Sequence, residues 1–370
     1  MTEPNMRRGG GGSFFGDYLY DSIVPGNHFL RLLRELVPWD RYSRRLLRYY
    51  RGKGREGRPP IAPALVLKML LLCYLYNISE RQAEDFCRYY LPAKYFLGLA
   101  VDEEPPDHST LSVFRKRLVE NGRATAFERL LRDIIVLARE RGIEFDDVQI
   151  IDSTHSIADV NVAKDKKRQK DGKEPRDPDS RWGCKGSYKA RDANGKTRTV
   201  RKYIFGYKDH TSMNAGAQMI SSLMVTPANA HDGKYLRPLL QSDLAQGLPV
   251  GACTADRGYD DTENHLFLQQ QGINDAVLLN DYRTQKKDSN KQVWIELKSQ
   301  PWYDQTRALR YQVERKFGEA KKHHGLGRCR YTTLMQYTAQ AYLTALALNL
   351  KQLVRGLTGV SLKSPTLIRC

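Results

Sequence analysis

The sequence predicts an all-α N-terminal domain followed by an α/β domain with a mixed five-stranded sheet flanked by helices. Two observations carry this. Up to about residue 141 the apolar residues recur at helical spacing, as at Phe29, Leu32, Leu33 and Leu36. After Gly142 the period changes. Short β-prone runs at 148–151, 202–207, 219–225, 250–255 and 275–279 are separated, in their later part, by helical stretches at 234–246 and 262–271. A length of 370 residues with 41% hydrophobic content suits two domains with packed cores. The boundaries expected are 1–144 and 145–360, with a tail at 361–370.

In the first domain, Pro59, Pro60 and Pro63 lead into an apolar helix over 64–76. Ser79 and Gln82, three residues apart, form a capping-box pattern at the start of the next helix. An acidic turn at 102–107 precedes a third helix, opened by His108-Ser-Thr and running over 111–121 with Arg115, Lys116 and Arg117. Three short helices with a basic last member suggest a helix-turn-helix-like DNA-binding unit. A plain helical bundle with a solvated charged face fits the same pattern. A basic, glycine-bearing loop is expected at 51–58, and an amphipathic helix at 124–141 links the domains, with Gly142 ending it. The polar, glycine-rich stretch 1–13 is no signal peptide. The apolar runs 65–76 and 332–349 are too short or too interrupted by polar residues to span a membrane, and read as buried helices.

A formal net charge of +18 and a pI near 9.6 exceed what solubility needs and point to a polyanion, nucleic acid, with an anionic membrane surface or a merely basic protein as the alternative. The six cysteines show neither C-x-x-C nor paired spacing, so no zinc ribbon or disulfide framework is indicated and a reducing cytosol fits. Residues 164–202 form a basic insertion, rich in Lys, Arg, Asp and Gly and poor in apolar side chains. It is expected to be mobile without a partner. With Trp182 and Tyr188 interleaved, it suits contacts to phosphate and to an exposed base; a solvated linker is the alternative.

Late in the chain, 308–326 reads ALRYQVERKFGEAKKHHGL. As a helix it sets Arg310, Glu314 and Lys321 on one face, with Leu309, Val313, Phe317 and Ala320 as an adjacent apolar stripe. Alone, this is equally a surface helix laced with ion pairs. The three polar residues, however, resemble the R-x3-E-x6-K signature of bacterial insertion-sequence transposases of the IS4/IS5 type, which includes IS1182-like members. That family uses a DDE triad on an RNase H-like fold. Asp152, ending the run Val-Gln-Ile-Ile-Asp, and Asp256, in Cys-Thr-Ala-Asp-Arg-Gly-Tyr, match its two earlier aspartates. The pattern PPIAPALVLKMLL, ISERQAEDF and HSTLSVFRKRL is similar to the family's N-terminal domain. Where a tyrosine often precedes the signature arginine by three residues, this chain has Arg307.

The resemblance implies that Asp152, Asp256 and Glu314 are catalytic and hold two Mg²⁺ ions, with Mn²⁺ as a substitute, Asp152 bridging both ions and the others holding one each. Arg310 and Lys321 would hold phosphate. The nearby acids Asp146, Asp147, Asp260, Asp261 and Glu319 read as solvated charges. His210, and Asn229 with His231 and Asp232 in Asn-Ala-His-Asp, resemble secondary motifs of the family and are secondary candidates. The function implied is a DNA transposase that cuts and rejoins DNA at element ends, acting on double-stranded DNA as a homodimer or higher assembly, in the bacterial cytoplasm at the nucleoid and away from any membrane. A nuclease of the same fold without strand transfer, and an inert basic DNA-binding protein, are the rivals.

Overall fold

The computed structural model describes residues 14–49, 60–120, 125–191, 195–280, 296 and 298–362. The expected glycine-rich start, the basic loop at 51–58 and residues 363–370 of the tail lie outside these. The chain divides into two compact units, 1–143 with 343–370, and 144–342. The second half of the C-terminal helix therefore groups with the N-terminal unit, where the sequence had placed everything to 360 in the α/β domain.

The first unit contains helices α1 (Phe14–Ile23), α2 (Phe29–Leu36), α3 (Trp39–Leu46), α4 (Pro63–Leu75), α5 (Glu80–Tyr89), α6 (Leu91–Leu97), α7 (His108–Glu120) and α8 (Thr125–Glu140). Proline at its first position starts α4, which is apolar all round but for Lys68 and is buried along its whole length. Lys68 donates from Nζ to the carbonyls of Phe96 and Leu97, at 2.9 and 2.7 Å, and so caps the end of α6. Burial pushes its ammonium down to about 7. Ser79 and Gln82 form the capping box that starts α5, which bends away from α4 by 105°, within the range of helix-turn-helix pairs. No single described helix is long and apolar enough to cross a membrane.

One expectation for α7 fails. Leu111, Phe114, Arg115 and Leu118 are buried, a spacing that defines the packed stripe of a helix, so Arg115 points inward. Its Nε lies 3.0 Å from Glu80 of α5. Arg115 ties α7 to α5 and is not a DNA-facing cation; Lys116 and Arg117, off the stripe, are exposed.

The second unit is a six-stranded sheet of β1 (Val148–Ile157), β2 (Arg181–Arg191), β3 (Thr197–Asn214), β4 (Ile220–Pro227), β5 (Ala252–Ala255) and β6 (Asn274–Val277). Its helices are α9 (Val162–Lys170), α10 (Leu236–Ala245), α11 (Thr262–Gln270), α12 (Pro301–Ala308), α13 (Tyr311–His323) and α14 (Leu334–Thr358), the last shared with the first unit. The strand order β4-β3-β1-β5-β6, antiparallel on the β4 side of β1 and parallel beyond it, is an RNase H-like core.

The sixth strand comes from 164–202, which the sequence had placed in a mobile loop. That stretch instead forms α9, β2 and the start of β3. Its low apolar content does not prevent this, because strand pairing is made by the backbone. The eighteen-residue β3 extends well past β1 and presents an edge along which β2 pairs, end to end with β4.

Side chains of β1 alternate between two apolar layers. Ile150 packs with Met213, Val313 and Phe317, so α13 lies on that face. Ile151 packs on the other face with Leu236, Leu239, Leu240, Ala255 and Leu268, from α10, β5 and α11. The apolar stripe expected on α13 is thus its docking face, with Val313, Phe317 and Ala320 buried and Leu309 packed beside them.

Candidate active site

Strand period and pairing place the two aspartates. Ile151 of β1 and Ala255 of β5 are partners in a parallel ladder, so the next residues, Asp152 and Asp256, stand side by side where that ladder ends. Asp152 alternates to the face of Ile150, the face on which α13 docks. Helix α13 carries Glu314 in its first turn, and Arg310 is its N-cap residue. The Arg310 guanidinium reaches both sides, 3.2 Å from Glu314 and 3.8 Å from Asp152. The sheet and the helix thereby bring Asp152, Asp256, Arg310 and Glu314 into one cluster.

Asp152 is buried, and burial, with Asp256 beside it, pushes its carboxyl up to about 7. Asp256 is raised too, by burial first and then by Asp232. Its Oδ1 accepts from the Gly258 amide at 2.8 Å. Glu314 is 60% exposed and turned to Arg310. Lys321 lies two turns on and is half-buried. Burial and the neighbouring Lys185 lower it, while Asp209 and Asp152 oppose them.

The rival acids have structural roles. Asp146 accepts from the Val148 amide, Asp147 packs against Gly251, Asp260 pairs with His265 and the Asn280 amide, and Asp261 caps α11. Glu319 faces Lys316 and His324 at 3.9 and 3.8 Å.

Of the secondary candidates, His210 is fully buried on the face away from Asp152, stacked on Tyr235, donating or accepting at Thr226 and with Nδ1 3.5 Å from Asp232, and burial pushes it down to about 3. His231 is exposed and caps the short 3-10 turn Asp232–Tyr235, and Asn229 is exposed. The residue that does reach the cluster is Asp232. It accepts from Ser153 Oγ at 2.8 Å and from Lys208 Nζ at 3.1 Å, and a Cβ at Gly258 would touch both it and Asp256. The sequence offered it as one of the Asn-Ala-His-Asp motif residues, and the return of the chain after β4 is what separates it from Asn229 and His231. Trp182 is exposed on β2, tilted against Phe205.

Comparison with known proteins agrees with this geometry. Residues 144–350 match the family model described as the transposase DDE domain, more than half of the chain, and 18–117 match the DUF772 transposase domain. The chain belongs to the DDE transposase family. Over 149 residues this DDE protein is 34% identical to the transposase for insertion sequence element IS1106 of Neisseria meningitidis serogroup B, a match covering 40% of this chain and 47% of that protein. The chain thus spans about half the length of the curated relative it matches. The piggyBac transposase synaptic complex with hairpin DNA aligns at a TM-score of 0.37 and 10% identity over 90% of this chain and 74% of that one, too remote to bear on function.

Proposed function

We propose that this DDE protein is a DNA transposase that cuts and rejoins DNA at the ends of an insertion sequence, with Asp152, Asp256 and Glu314 as its catalytic carboxylates. The observation that carries the reading is the placement of two aspartates at the end of one parallel strand pair, with Arg310 reaching from Asp152 to a glutamate on the docked helix. DDE transposases depend on a divalent metal ion. The donor set here fits one: it is all carboxylate, with hard oxygens and neither cysteine nor histidine, and Asp152 is crowded by like charge in a buried setting. Asp152, Asp256 and Glu314 would hold Mg²⁺, or Mn²⁺ in its place. When bound, the metal makes water or a 3′-hydroxyl nucleophilic and stabilises the leaving oxygen. Arg310 and Lys321 hold the phosphate and balance its charge. Bringing two element ends together requires at least a dimer on DNA, and such an enzyme works on the bacterial chromosome in the cytoplasm.

The test is incubation of the full chain with DNA carrying the element's ends, with Mg²⁺ or EDTA, reading nicked and joined products on a denaturing gel. Nicks without joined products would make it a nuclease. Glu314→Gln keeps size and removes the charge a cation needs, so cleavage should collapse while DNA binding persists; Glu319→Gln, on the same helix, should cleave normally. Wild-type cleavage by both variants would remove Glu314 from the site. In the first unit, the double substitution Lys116→Ala and Arg117→Ala should lower the salt dependence of end binding by about 0.9 in slope for each lost phosphate contact. An unchanged slope would detach α7 from DNA.

A further inference from the structure

Beyond the sheet core, β2 and the first part of β3 continue as a two-stranded ribbon. From Gly186 paired with Lys202 to Arg191 paired with Thr197, six residue pairs extend past the carboxylate cluster. Residues 184–189 and 195–203 are all exposed, so both faces of the ribbon meet solvent. That is unusual for a strand pair, which is marginal in water unless one face packs. Its chemistry is one-sided. Residues 181–191 carry four Lys or Arg and 195–206 carry four, and neither segment contains an Asp or Glu. Strand alternation divides these cations between the faces, with Lys189 and Arg201 on one and Lys202 on the other. Trp182, Tyr188 and Tyr203 are exposed among them.

The ribbon is held at its base. A Cβ at Gly183 would come within 2.1 Å of the Ala228 carbonyl oxygen, so β2 and the end of β4 are in backbone contact there. A bulge between Cys184 and Gly186 follows, with Gly186 at φ +133°. The ribbon begins at Lys202, nine residues along β3 from Thr211, the partner of Asp152, so it stands about 30 Å along the strand from the candidate active site.

We propose that this ribbon enters the major groove of double-stranded DNA on the flank of the candidate active site. The proposal rests on the reading that DNA is the substrate and adds which element grips the duplex and from which groove. Width decides the groove. Two strands about 4.8 Å apart, with side chains, make a body roughly 10 Å across, which suits a major groove about 12 Å wide and not a minor groove about 6 Å wide. Cations on both faces suit a body flanked by two phosphate walls, whereas a ribbon lying flat on a surface would use one face. Six pairs at about 3.3 Å each reach about 20 Å, or roughly six base pairs.

The experiment uses the full chain with a mixed-sequence 30-base-pair duplex containing 5-bromouracil, whose bromine occupies the major-groove position of the thymine methyl. Irradiation should crosslink peptides between Trp182 and Tyr203. The triple substitution Lys189→Ala, Arg201→Ala and Lys202→Ala should lower the salt slope of duplex binding by between about 1 and 3, at about 0.9 per contact, with thermal unfolding unchanged because all three side chains are exposed. Crosslinks confined to other segments, an unchanged slope, or equal affinity for the single strand would each overturn the proposal. If the wild type binds the duplex but the triple substitution leaves the slope intact, the ribbon assignment alone fails. A wild type that binds no DNA brings down the transposase reading with it.

Discussion

Asp152→Asn is expected to abolish DNA cleavage, by about three orders of magnitude or more, and at the same time to make the protein more stable above neutral pH. The first effect follows from removing a carboxylate at the centre of the cluster, since charge stabilisation by a bound metal contributes several kcal/mol to phosphoryl chemistry. The second follows from the cost of ionising this group in the fold. Burial and Asp256 raise its carboxyl from 3.8 to about 7. Between those values the folded protein holds a proton that the unfolded chain has released, so stability falls as pH rises through that window. Asparagine removes the dependence. In EDTA, denaturant unfolding should show the variant more stable at pH 8 by a few kcal/mol, at about 1.4 kcal/mol per pH unit of displacement, with the gap closing toward pH 4. Adding Mg²⁺ should raise the wild-type midpoint more than that of the variant. A variant that cleaves DNA, or that is less stable than wild type at pH 8, would place Asp152 in a structural role.

Arg115→Ala should destabilise the N-terminal unit by about 3–5 kcal/mol, the range for removing one partner of a buried ion pair. Glu80, with 14% side-chain exposure, would lose this ion pair. Lys116→Ala, one residue on and exposed, should change stability by less than about 0.5 kcal/mol. Urea unfolding of the two variants makes the comparison. Replacing the pair together, Arg115→Met with Glu80→Gln, should recover much of the loss, because the uncompensated charge is gone. If Arg115→Ala unfolds like wild type while weakening DNA binding, the side chain faces DNA after all.

The sequence by itself determined the period of each element and, through it, most of the candidate site. Alternation along Val-Gln-Ile-Ile-Asp commits Asp152 to the face of Ile150, and helical spacing commits Glu314 to lie beside the stripe of Val313 and Phe317. Ser79 and Gln82 similarly fix the start of α5, because their bonds are local. The tertiary structure decided what no local pattern encodes. Arg115 and Lys116 are adjacent cations, and only the packing of α7 on α5 buries one and exposes the other. Asp232 joins Asp256 because the chain turns back after β4. Of the basic run 164–202, read from composition as mobile, residues 181–191 pair along β3. Hydrogen bonds between strands join backbones, which every residue but proline supplies on both sides, so side-chain composition says little about where a second strand will dock.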